Sequence, residues 1–253
     1  MVSSPVSVAL RAFAMAVVGM GCMAFSGLQA PAWVRNALSL GRQDELHAAP
    51  TVARFSDDEG GGFILDRSHH PALLKFDDGA EVWAVSASRG PRGDVLFKDD
   101  VGDILLRVTK VGGVTVFTTR WPMGVAASLD GPASTLRISP MSAQSLYERM
   151  VMASGRCGRV AHHLVVFDAP DADEKSAALF ADAALSAMNG IIGVANRPAG
   201  RAALAKLVKV NFFAGPTPTA WWRNGALTIL VNPSDGLGGH PSSARIAQVL
   251  EGP

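Results

Sequence analysis

Cysteine is nearly absent from the chain. Cys22 and Cys157 are the only two, so the sequence offers neither a disulfide framework nor a C-x-x-C metal or redox pair. Tyrosine occurs once, and aromatic residues make up 7% of the total. Excess charge is missing too, with 23 basic residues against 22 acidic ones. A chain without a net field has no long-range means of gathering phosphate backbones, so nucleic acid is not an expected partner. Familiar catalytic signatures are also lacking: no H-E-x-x-H, G-x-S-x-G or S-x-x-K element occurs. Gly60-Gly61-Gly62 precedes a strand-like run and not a helix, which excludes a phosphate-cradling loop there.

Hydrophobic residues are plentiful, at 48% of 253 residues. That is enough for one substantial core or two small ones. The first 32 residues look like a targeting segment. Arg11 is the only charged residue before Arg35, and it precedes the apolar run Ala12 to Phe25. A charge followed by a short apolar stretch is the signal-peptide pattern, too short to span a bilayer comfortably. Small residues place cleavage after Ser26 or after Ala32, whereas Pro31 disfavours cleavage after Ala30. Two alternatives remain open: a lipid anchor on Cys22, which lacks the expected leucine three residues upstream, and an uncleaved N-terminal anchor. Cleavage would remove Cys22 and leave Cys157 as a lone thiol, best kept buried in an oxidising compartment.

Residues 33–51 read as a tether, and residues 52–253 as one α+β domain. Its first part, residues 52–134, is built on a repeat. Phe55, Phe76 and Phe97 stand 21 residues apart, each leading into acidic residues and a glycine: Asp57-Asp58-Glu59-Gly60, Asp77-Asp78-Gly79 and Asp99-Asp100-Val101-Gly102. Aspartate caps its own backbone and glycine supplies positive φ, so these are turns. Between them lie short apolar runs at 62–66, 72–76, 81–85, 94–97, 104–108 and 114–118. Two strands per 21 residues predicts an antiparallel meander of six to eight strands, one that can close into a barrel.

The second part, residues 135–253, reads as helical with a C-terminal hairpin. Ser139-Pro140 predicts a helix start, with the helix fading near Gly155 or Gly158. Asp171 to Glu174 resembles a capping box ahead of a nearly all-apolar helix reaching Ala195. A third helix is expected from Ala199 to about Phe213. Asn224-Gly225 between two apolar runs predicts a tight hairpin, and a last helix is expected from Ser242 or Ser243 to Leu250.

Three groups of residues could carry chemistry. The acidic pairs, with Asp103, match hairpin turns better than calcium loops, which need six to eight oxygens at one site. His69-His70 and His162-His163, even with Asp168, lack metal-ligand spacing, because adjacent histidines on a helix diverge by about 100°. No metal site and no cofactor is therefore expected. Nucleophiles form the third group: Cys157 precedes His162 and His163 by five and six residues. Gly238, Gly239, His240, Ser242 and Ser243 form a candidate ligand-binding loop, in which free helix amides could hold an anion or oxyanion. Helix capping accounts for the same serines without a ligand. No residue is assigned as catalytic.

The stretches FILDRS (Phe63 to Ser68), LLKFDDGAEVWA (Leu73 to Ala84), RGPRGDVLFKDDVG (Arg89 to Gly102), GGVTVFTTR (Gly112 to Arg120) and GHPSSARI (Gly239 to Ile246) carry a family resemblance. They resemble an uncharacterised family of exported proteins of Gram-negative bacteria, a domain of unknown function. The resemblance covers about Val52 to Leu250. It implies export and a single family-wide domain, and it brings no catalytic residue. The resulting expectation is a periplasmic or envelope-associated protein that binds an envelope component without catalysis, with N-terminal membrane association left open. The alternatives are a hydrolase using His240 with Ser242 or Ser243, or Cys157 with a histidine, and a carrier of a small apolar ligand.

Overall fold

In the computed structural model, residues 49–252 are described. The leader, Cys22 and most of the tether lie outside the described residues. Eight antiparallel strands follow in chain order: β1 (Val52–Asp57), β2 (Gly62–Asp66), β3 (Ala72–Phe76), β4 (Val82–Arg89), β5 (Val95–Lys98), β6 (Ile104–Val108), β7 (Val114–Val116) and β8 (Val125–Pro132). Each pairs with the next, and β1 pairs with β8, so the meander closes into a barrel.

Alternation explains the interior. Phe63 and Leu65 on β2, Leu106 and Val108 on β6, and Val114 and Val116 on β7 sit two residues apart in one buried cluster. Phe55 and Phe63 stack with ring centroids 5.1 Å apart. Closure also removes the free edges that an open sheet would expose.

The acidic corners are turns, as their spacing predicts. Asp57 Oδ1 accepts from the Glu59 and Gly61 amides. Asp99 Oδ1 accepts from the amides of Val101, Gly102 and Asp103. Gly102, at φ 98°, supplies the left-handed turn residue. The three corners join β1 to β2, β3 to β4 and β5 to β6. In an up-and-down barrel alternate connections share a rim, so all three lie at one end.

The second part is a mixed sheet with helices: α1 (Ala143–Ala161), β9 (Val166–Asp168), α2 (Ala177–Gly193), α3 (Pro198–Leu204), β10 (Lys209–Ala214), β11 (Thr219–Arg223), β12 (Ala226–Val231) and α4 (Ser243–Glu251). The sheet order is β11-β12-β10-β9, with β10 parallel to both β9 and β12. Asn224 and Gly225 both have positive φ, 50° and 78°, and they close the β11–β12 hairpin.

Three helix expectations are corrected. Helix α1 begins after Ser142, whose hydroxyl accepts from the Ser145 amide, not at Ser139-Pro140. It runs past Gly155 and Gly158 because its buried stripe, Leu146, Met150, Ala153, Cys157 and Ala161, continues without a break. Before α2 the capping box does not form. Asp173 instead accepts from the Lys175 and Ser176 amides, while Asp171 accepts from the Ala214 amide on β10. The predicted third helix stops at Leu204, and residues 209–214 are strand β10. Val210 and Phe212 alternate into the core there, at 0% exposure, so sheet pairing outweighs local helix propensity.

Helix α2 is buried nearly all round. No helix among the described residues is long and apolar enough to cross a membrane. Where α2 meets the start of α4, a Cβ on Gly190 would lie 2.6 Å from the Ser243 carbonyl oxygen, so only glycine permits this approach.

Candidate functional site at the barrel–helix junction

The loop of Gly238, Gly239, His240, Ser242 and Ser243 lies where the barrel meets α4. Gly238 packs against Pro71 and Ala84 on the outside of the barrel, and a side chain on Gly239 would collide with the Asn232 carbonyl. These glycines thus serve close packing. His240 is 6% exposed and Ser242 8%.

His240 is held by two acceptors. Its Nε2 lies 3.0 Å from Asp182 Oδ2 on α2, and its Nδ1 lies 3.0 Å from the Pro241 carbonyl oxygen. A carboxylate and a carbonyl can only accept, so both ring nitrogens must donate, which describes an imidazolium. Burial alone works against that charge. The hydrogen bond and charge of Asp182, then the Pro241 carbonyl and the field of Glu81, outweigh it and raise the pKa above its ordinary value. An imidazolium with both protons engaged has no lone pair with which to act as a base.

Three amides at the α4 N-terminus, those of Ser242, Ser243 and Arg245, are also taken. Ser243 N donates to Glu81 Oε1 at 2.8 Å, and Ser242 N donates to Asp100 Oδ2 at 3.2 Å. Ser242 Oγ donates to Asp100 Oδ1 at 2.5 Å and accepts from the Arg245 amide, completing the cap. Glu81 reaches Asn189 on α2 through its second oxygen, and Arg245 donates to the Asp100 carbonyl. The positive end of the helix dipole thus receives two carboxylates from the barrel. The anion that a free helix N-terminus would bind is supplied by the chain itself.

Asp100 had looked like one more turn residue; its neighbour Asp99 makes the turn while Asp100 crosses to α4. Asp66 is another long-range tie missed in the sequence. It is fully buried in the barrel wall and accepts from the Leu136 amide, seventy residues on. An aspartate that closes an apolar strand and is followed by Arg67 and Ser68, with no glycine turn beside it, was the available signal.

The remaining candidates do not converge. Cys157 is 0% exposed, and burial pushes its thiol up to about 12. Among the described residues no hydrogen bond joins it to His162 or His163. His162 ends α1 in the left-handed conformation, and His163 Nε2 lies 2.7 Å from the Leu207 carbonyl. His69 stands 3.6 Å from Asp66, and Asp168 pairs with Lys209. Among the described residues no group of three potential ligands could hold a metal ion.

An eight-stranded up-and-down barrel locked onto a four-stranded α/β layer defines the class: a two-part α+β protein with its polar machinery spent on the seam. The chain belongs to the family described as a domain of unknown function, DUF4908, whose model matches residues 34–250. No curated protein and no solved structure matches it.

Proposed function

We propose that the chain is an exported, periplasmic or envelope-associated protein that binds another envelope component and catalyses no reaction. The observation that carries this reading is the state of His240. Among the described residues the one buried histidine–carboxylate pair has both ring nitrogens committed to acceptors, and Ser242 points its proton at Asp100. Side chains that could attack or abstract are holding the two parts of the fold together. Export rests on the leader pattern of Arg11 and the apolar run after it.

Two measurements test the proposal. A phosphatase fusion to the first 60 or so residues reads export; activity only in the cytoplasm overturns that part. Fluorophosphonate and iodoacetamide treatment of the folded protein should label neither Ser242, Ser243 nor Cys157. Labelling that disappears on unfolding would establish the hydrolase reading. The apolar-carrier reading is disfavoured by the filled barrel interior, where Phe63, Leu65, Leu74 and Leu106 are at most 1% exposed.

A further inference from the structure

A second concavity lies on the same seam, away from the α4 amides. It is a cleft of about 200 Å³ lined by Lys75 from β3, Arg137 and Ser139 from the segment after β8, Arg149 from α1, and Asp182 from α2. Three cations and one carboxylate thus come together from four separate stretches of chain. None of Lys75, Arg137 and Arg149 forms an ion pair or donates a side-chain hydrogen bond among the described residues. The single carboxylate is already engaged by the His240 imidazolium.

The total charge of the chain is balanced, and on the barrel Arg54 pairs with Asp77 and Arg107 with Asp94. At the cleft Asp182 is the one acid in the lining against three cations, so the lining carries a net charge of +2. We propose that this cleft binds a phosphoryl group. A phosphate monoester dianion matches the charge, and its tetrahedral oxygens can accept from two guanidinium forks and one ammonium. The volume accommodates a phosphoryl head and little of what it is attached to. The bound group therefore bridges the barrel, the connecting segment and α1.

This inference deepens the binding-protein reading and rests on it, supplying the chemistry of what is bound. Its test needs only the purified protein, so failure of export or of partner capture leaves it standing, and its own failure leaves those intact. Inorganic phosphate and pyrophosphate are titrated by calorimetry at about 50 and 200 mM salt. One saturable site is expected, weakening severalfold at the higher salt. Arg137→Ala and Arg149→Ala, both exposed positions, should each weaken binding at least about tenfold with an unchanged melting temperature. Co-sedimentation with phosphatidic acid vesicles, against phosphatidylcholine vesicles, distinguishes the source: capture identifies a lipid headgroup, and binding of free phosphate alone identifies a soluble ligand. Absence of saturable binding to phosphate, pyrophosphate and phosphatidic acid overturns the proposal. Binding that survives both arginine substitutions does the same.

Discussion

Replacing His240 by alanine tests the junction most directly. The substitution removes a buried imidazolium and leaves the Asp182 carboxylate, whose side chain is 15% exposed, without its partner. Breaking a buried pair by deleting one member costs about 3–5 kcal/mol. Residual water access to Asp182 places the expected loss near the lower end, about 3 kcal/mol. For a domain of this size that lowers the melting temperature by about 6–12 °C. Urea titration should show the midpoint fall with an unchanged slope. Asp182→Ala and the double variant complete a cycle, in which the double loss should fall short of the sum of the singles by at least about 1 kcal/mol. The pH dependence gives an independent reading. The folded pKa of His240 lies above the ordinary 6.5, so its contribution is complete below pH 6.5 and is lost as pH rises through the folded value. Wild type should therefore lose stability on the alkaline side, and His240→Ala should lack that component. A loss under about 1 kcal/mol, additive singles, or identical alkaline profiles would refute the imidazolium assignment.

Three further outcomes follow from the packing. Cys157 should resist iodoacetamide in the native protein and react fully in denaturant, as mass spectrometry will show; native labelling would contradict its burial. Gly190→Ala should cost about 1–3 kcal/mol by forcing α4 away from α2. Gly193→Ala, with nothing within 4 Å of the added Cβ, should be neutral or slightly stabilising, so equal losses at both positions would exclude the close-approach explanation. Asp66→Ala leaves the Ser68 and Leu136 amides without their acceptor and should cost about 2–3 kcal/mol in denaturant titration; a loss under 0.5 kcal/mol would show that water replaces the carboxylate.

Much of the barrel was legible because its signals are local. Turn chemistry recurs every 21 residues, and strands between turns alternate, so Phe55, Phe76 and Phe97 announce the hairpins directly. The same holds for Asn224-Gly225, where both residues must adopt positive φ. Strand β8 was not legible: Val125–Pro132 is mostly half-exposed or exposed and ends in Asp130-Gly131-Pro132. Its place is set by pairing with β1, about seventy residues away. Strand β10 was misread as helix for a related reason, since its parallel neighbours β9 and β12 are remote in sequence and no local rule encodes a parallel pair.

By itself the sequence determined the α+β class, the meander with its acidic corners, the hairpin and the last helix. These follow from backbone preferences and from burial of alternating side chains, which act over a few residues. Only the tertiary structure decided what the polar residues do. Asp99 and Asp100 are adjacent and chemically identical, yet one closes a turn and the other caps a helix more than 140 residues downstream. His240 reads in sequence as a possible base, and it becomes an imidazolium only because Asp182 and the Pro241 carbonyl meet it in space. Hydrogen-bond partners and local fields depend on distance through the fold, which the order of residues along the chain does not specify.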